Sequence, residues 1–261
     1  MVDCFTRDLS WCLEPPRLLP HPAPYLADSA FYQRWREELD ISTLHNTSRP
    51  QIKRLGLYFE ACWRQLIALH PEWELLIDNR AIVEGGRTIG AIDFVVINHQ
   101  QQCLEHWELA VKFYLATCPN ARIDDYLGPN QQDRLSNKLS KLLVKQLPLI
   151  RHPQLQAEIA PYRHYQFKQR MLLCGYLFSP WQAQSSKHQW CEYADWQARF
   201  DTTQWQAISK QDWLSAKGRV EKNTEELVGD ALSRPIQLVH KQTQARLFVC
   251  PDGWLAAAKG H

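Results

Sequence analysis

Between Leu55 and Leu115 the spacing of apolar residues changes from a helical period to a strand period, and this change constrains the fold more than any other feature of the chain. Leu55, Phe59, Cys62, Leu66 and Leu69 recur at steps of three and four, the stripe of an amphipathic helix with one buried face. His70-Pro71 ends it, because proline cannot continue the hydrogen-bonded turn. Two β-rich runs follow, Trp73–Val83 and Thr88–Ile97, around Glu84-Gly85-Gly86-Arg87. Both central glycines can take positive φ, so the four residues read as a hairpin turn. After the polar loop Asn98–Gln102, a third strand is expected over Leu104–Leu115. A helix is expected to open at Pro129-Asn130, with Asp133 completing a capping-box-like start and an apolar face of Leu135, Leu139, Leu142, Leu143 and Leu147. A fourth strand is expected over Gln166–Phe178. The order α, β, β, β, α, β places the chain in the α/β (α+β) class, with a mixed central sheet flanked by helices.

Composition shifts divide the chain into three. Residues 1–50 are proline-rich at first (Pro15, Pro16, Pro20, Pro22, Pro24), then helical over Phe31–Leu39, then polar at Asn46-Thr47-Ser48-Arg49-Pro50, and read as an arm leading into the core. Residues 51–180 carry the core. Residues 181–261 turn to tryptophan and glutamine, with Trp181, Trp190, Trp196, Trp205 and Trp213 ahead of the strand-like pair Pro235–His240 and Ala245–Cys250, and are expected to form a small β-containing subdomain. Its tryptophans either fill that core or stack on bases as in single-strand binders.

The 30 basic and 28 acidic side chains leave a formal charge of +2, which excludes a strongly basic nucleic-acid coat or an acidic tail as the whole function. The eight cysteines contain no C-x-x-C pair, so they are expected to be reduced and mostly buried. Asp3, Arg7 and Asp8 interrupt the place of a signal peptide, and Met171–Trp181, the longest uncharged apolar run, is too short for a membrane span. The expectation is a soluble, cytoplasmic protein.

Asp93 stands among Ile92, Phe94, Val95 and Val96 in the middle of a β-run. A carboxylate there is costly unless it binds a cation or a set of donors, and a structural carboxylate closing the hairpin is the plainer alternative. On the next strand Glu108, Ala110 and Lys112 share one face, because side chains alternate with period two. With Glu60 from the packing helix, these residues suit Mg²⁺ or Mn²⁺: hard oxygen ligands from Asp93 and Glu108, and a lysine to position water and offset developing negative charge. The implied reaction is phosphodiester hydrolysis. Arg134, Lys138, Lys141 and Lys145 form a basic stripe at steps of four, three and four, either a solvated face or a phosphate-binding one. No Gly-x-Ser-x-Gly elbow, P-loop, Gly-x-Gly-x-x-Gly or zinc-spaced histidine pair is present.

The helical Glu60, strand-borne Gly90-Ala-Ile-Asp93 and Glu108-Leu-Ala-Val-Lys112 together resemble the core of the PD-(D/E)XK nuclease superfamily. More narrowly, Arg54–Glu60, Glu108–Tyr114, Leu127–Leu135, Arg7–Leu13, Arg234-Pro235 and Val249–Trp254 resemble a bacterial family catalogued as domain of unknown function 1853, over nearly the whole chain. The superfamily resemblance implies a restriction-endonuclease-like αβββαβ core, a nucleic-acid substrate (DNA before RNA), Asp93 as metal ligand, Lys112 as the lysine and Glu60 as the first-helix acid. One position departs from the pattern. The superfamily places acid and lysine two residues apart, but that slot here is Ala110, and Glu108 precedes Lys112 by four. On a regular strand that is roughly 13 Å instead of roughly 7 Å. The alternative reading is therefore a catalytically inactive module on the same fold that binds nucleic acid or a protein partner. Charge is unevenly spread: Tyr58–Lys112 holds eight acids and four bases, whereas Arg134–Arg170 holds eight bases and one acid. Near-neutrality thus leaves room for an acidic, cation-attracting site and a basic groove.

Overall fold

The computed structural model describes residues 4–19, 23–41, 48–183, 186–216 and 232–259. Pro20, Pro22, Asn46 and Thr47 of the expected arm lie outside the described residues. The chain forms two compact units, one of residues 1–111 and 139–174, the other of residues 112–138 and 175–261.

The first unit begins with helices α1 (Cys4–Leu13), α2 (Ser29–Glu38) and α3 (Leu55–Leu69), followed by strands β1 (Trp73–Glu84), β2 (Arg87–Asn98) and β3 (Cys103–Ala116), the last leaving this unit after Val111. Strands β1, β2 and β3 are antiparallel neighbours, and β5 (Gln166–Pro180), in this unit as far as Cys174, follows β3 in the sheet order. The hairpin forms where expected. Glu84 pairs with Arg87, while Gly85 and Gly86 take φ of 53° and 76°, a conformation that costs an L side chain but not glycine. The expected stripe of α3 is buried at Leu55, Phe59, Cys62 and Leu66, joined by Tyr58, Trp63 and Ile67.

The N-terminal segment contributes to this unit's core. Asp28 caps α2 by accepting from the Phe31 amide at 2.8 Å. The helix then places Trp35 5.4 Å from Trp63, 5.9 Å from Trp73 and 5.5 Å from Trp107, ring centre to ring centre. One helix of the arm, α3, β1 and β3 thus share an aromatic core. Beside it the Glu105 carboxylate accepts two bonds from Arg170, at 2.5 and 2.9 Å, and one from Trp107 Nε1 at 2.8 Å. On the other side Ile77, Ile92, Val95, Ile97, Leu104 and Leu155 form an aliphatic cluster, Leu155 from the short helix α5 (Pro153–Glu158).

The second unit holds the end of β3, a short β4 (Tyr126–Leu127), the end of β5, β6 (Gln189–Glu192), α6 (Tyr193–Arg199), β7 (Trp205–Ile208), β8 (Ile236–His240), β9 (Arg246–Cys250) and α7 (Trp254–Lys259). Its strands run in the order β3-β5-β6-β9-β8-β7, parallel from β5 to β9 and antiparallel from β9 to β7, so the sheet is mixed. The expected strand pair is present as β8 and β9; β6 and β7, four residues each, lack enough alternation to be seen in the sequence. Trp190 and Trp196 are buried, Trp190 donating to the Ala116 carbonyl at 2.8 Å, so these two serve as core residues and are not available to stack on bases. Gly175 has φ of 134°, and a Cβ there would lie 1.7 Å from the Lys112 carbonyl oxygen. Only glycine permits that approach of β5 to β3.

The helix expected from Pro129-Asn130 begins instead at Leu135 (α4, Leu135–Lys141) and passes into a π-helical turn at Leu142–Gln146 and a 3₁₀ turn at Leu147–Arg151. Residues 128–133 form a turn in which Gln131 donates to the Gly128 carbonyl at 2.8 Å, and Asp133 binds other partners rather than capping a helix. All eight cysteines are free and six are buried. No helix among the described residues is long and apolar enough to cross a membrane.

Candidate active site

Within the first unit three carboxylates come from three elements. Asp93 lies on β2, half-buried, with its Oδ2 accepting the Leu109 amide at 2.7 Å. The β2–β3 register pairs Val95 with His106 and Phe94 with Trp107. The pairing ends there, and Asp93 and Glu108 lie just beyond it, where the Asp93 side chain takes up the backbone of the neighbouring strand. Glu60 is supplied by α3, where Arg64 Nη2 donates to it at 3.2 Å and Asn79 Nδ2 at 3.4 Å. Arg64 also binds Asp78 through two bonds of 2.7 Å. Burial raises the Glu60 pKa and the charge of Asp93 raises it further, against the opposing pull of Arg64. The two carboxylates therefore sense each other, a common mark of a functional site.

Glu108 is buried with both oxygens engaged. Oε1 meets His106 Nε2 at 3.0 Å, and Oε2 accepts Gln146 Nε2 at 2.7 Å. Burial pushes the His106 pKa down to about 4, though Asp93 pulls it upward, so the ring is neutral at pH 7. Its tautomer follows from its neighbours: Gln169 Nε2, at 3.1 Å, can only donate to Nδ1, which leaves Nε2–H to donate to Glu108. Gln169 also donates to the Leu147 carbonyl at 2.7 Å. His106 and Glu108 are thus neighbours on one strand face, joined by a hydrogen bond from an uncharged imidazole.

Lys112 belongs to the second unit, where its ammonium pairs with Asp133 at 2.5 Å. Tyr114 also donates to Asp133, at 3.1 Å; burial and that carboxylate hold the phenol well above its ordinary pKa. The basic stripe is divided. Arg134 and Lys138 lie in the second unit and Lys141 and Lys145 in the first. Arg134 Nη1 donates to the Asp124 carbonyl at 2.5 Å, and Lys138 is half-buried, whereas Lys141 and Lys145 are exposed. Steps of four, three and four align on an α-helix only, and the π-turn at Leu142–Gln146 changes the winding before Lys145.

Among the described residues, no group of three or more His, Cys, Asp or Glu side chains is arranged to hold a metal ion. Asp93 and Glu108 are hard-oxygen donors, but the Glu108 side chain is fully buried and both its oxygens already accept hydrogen bonds. His106, Gln146 and Gln169 are the site residues that sequence reading missed. His106 stands two residues from Glu108 and so shares its face, a signal that was present in the sequence; the two glutamines carry none.

A model of the family described as Domain of unknown function (DUF1853) matches residues 7–251. The chain belongs to the DUF1853 family. No curated protein and no solved structure matches it. The matched span of this DUF1853 chain contains Glu60, Asp93 and Glu108 and the Lys112–Asp133 pair.

Proposed function

We propose that this DUF1853 protein is a Mg²⁺- or Mn²⁺-dependent nuclease-like protein that hydrolyses phosphodiester bonds in DNA, with RNA as the second substrate. The observation that carries the reading is the coupling of Glu60 on α3 to Asp93 on β2, with Glu60 pushed toward its protonated form by burial and by Asp93. The element order α3-β1-β2-β3-α4-β5 supports a restriction-endonuclease-like core. Asp93 and Glu108 would hold the ion. When bound, it would polarise a phosphate oxygen and acidify a water molecule. His106 and Gln146 fix the Glu108 carboxylate, and the Leu109 amide fixes Asp93. Glu60, with its raised proton affinity, is suited to hold a proton at the edge of the site. The exposed Lys141 and Lys145 supply positive charge for the phosphate backbone.

A second reading, an inactive module that binds nucleic acid, is favoured by one pair of observations: Ala110 occupies the usual acidic slot, and Lys112 is engaged by Asp133. Titrating Mg²⁺ and Mn²⁺ into purified protein on single- and double-stranded oligonucleotides separates the two. The enzyme reading expects cleavage that falls by about a hundredfold or more in Asp93→Ala and Glu108→Ala. Binding without turnover in either metal sinks it in favour of the module.

A further inference from the structure

The second unit contains a cavity of about 440 Å³ whose walls include Trp181, Trp190, Glu192, Asp195, Leu255 and Ala256. That volume suits a small organic molecule. Trp181, Trp190 and Leu255 supply aromatic and apolar wall, and the charged residues that line it are two acids and no base. Both acids are held in place. Glu192 stands at the start of α6 without capping it; its Oε1 instead accepts the Leu255 amide in the first turn of α7, at 2.8 Å. Asp195 Oδ2 accepts Trp181 Nε1 at 3.0 Å. Leu255 and Trp181 line the cavity as well, so both bonds are made at its wall.

Both acids also keep accessible surface: the Asp195 side chain is 35% exposed and Glu192 is half-buried. Their charges act on one part of the wall. Burial raises the pKa of the Cys191 thiol, which lines the cavity, and the negative charges of Asp195 and Glu192 raise it further. The chain itself shows how this wall receives a cation. The Arg199 guanidinium lies 4.6 Å from the Trp181 ring centre and donates to Asp195 Oδ1 at 3.1 Å. An indole face beside a carboxylate is the combination that attracts an organic cation. Arg199 takes only Asp195, and among the described residues no hydrogen bond or ion pair engages Glu192 Oε2.

We propose that this cavity binds a small organic amine, its ammonium on Glu192 beside Asp195 and its apolar body against Trp181 and Leu255. The site shares no residue with the carboxylates of α3, β2 and β3 and does not rest on the nuclease reading. It is tested by calorimetry on the full chain at neutral pH, with tyramine, cadaverine and agmatine as probes. At least one should bind saturably at one site per chain, and the analogue with hydroxyl in place of its amine should bind at least tenfold more weakly. Glu192→Gln keeps an oxygen for the Leu255 amide and Asp195→Asn keeps one for Trp181 Nε1, while each removes a charge. Each should weaken the bound probe at least fivefold. Asp201→Asn removes an exposed charge of the same unit outside the cavity and should leave the affinity unchanged. Should one cavity variant fail to melt cooperatively, the other carries the test. The proposal is overturned by no saturable binding of any of the three probes, by equal binding of the hydroxyl analogue, by affinities unchanged in the folded cavity variants, or by an equal loss in Asp201→Asn.

Discussion

His106 and His188 are two buried imidazoles with a common consequence. Burial lowers each pKa to about 4; Asp93 opposes this at His106, and the cations of Arg246 and Lys187 reinforce it at His188. The ordinary value is 6.5. Between pH 6.5 and 4 the unfolded chain therefore takes up protons that the folded chain refuses. Their contribution to stability is complete above pH 6.5 and is lost as pH falls through this window. Thermal melts should show Tm declining from pH 7 to pH 4.5, with a shallower decline in His188→Gln and in His106→Gln. A decline as steep in both variants as in the parent would assign the acid sensitivity elsewhere. The variants differ in a second respect. Gln at 106 perturbs the hydrogen bond that orients Glu108, so under the proposed nuclease function only that variant should also lose metal-dependent cleavage.

Among the elements, β5 and α4 show how backbone geometry sets what side chains can do. Gly175→Ala should be far more damaging than a glycine change in the hairpin. At Gly85 and Gly86 nothing lies within 4 Å of an added Cβ, so alanine there costs only the positive φ, about 1 kcal/mol. At Gly175 the Cβ would collide with the backbone oxygen of Lys112, which cannot swing aside as a side chain would. Urea denaturation should place Gly85→Ala about 1 kcal/mol below the parent and find Gly175→Ala several times worse or insoluble. In α4 and the turn that follows it, the basic residues should not act as one stripe. Removing an exposed, phosphate-contacting lysine lowers the slope of log affinity against log salt by about 1. Under the proposed nucleic-acid binding, Lys141→Ala and Lys145→Ala should each show that reduction in oligonucleotide binding, whereas Arg134→Ala should show it weakly because its guanidinium holds the Asp124 carbonyl.

Across the whole molecule, each compact unit is assembled from segments far apart in the chain. Trp35, 1% exposed, stands in the N-terminal segment yet packs on Trp63, Trp73 and Trp107. Trp35→Ala should destabilise by roughly 3–5 kcal/mol in equilibrium denaturation, the cost of truncating a large buried aromatic side chain. A loss below about 1 kcal/mol would mean that the arm is an appendage and not part of the core.

Much of the architecture was legible from periodicity. Strands β1, β2, β3, β5, β8 and β9, the stripe of α3 and the Gly85-Gly86 turn all lie within a few residues of their expected places, because alternation, helical spacing and positive-φ demand are local properties written in neighbouring residues. The same locality made Glu60, Asp93 and Glu108 visible as charged residues within apolar runs. The start of α4 was misplaced because Asp133, a good cap by spacing, binds Lys112 and Tyr114 instead, partners some twenty residues away. Gln146 and Gln169 went unseen for a related reason: a glutamine acquires a role only when folding places a carboxylate or an imidazole beside it. The sequence by itself therefore determined the element types, the hairpin, the buried thiols and the candidate carboxylates. Only the tertiary structure decided that Glu60 is coupled to Asp93, that His106 and Gln146 hold Glu108, and that Lys112 pairs with Asp133. Local pattern follows from the backbone's own periodicity, whereas hydrogen bonding and charge pairing depend on distances that the chain acquires only by folding.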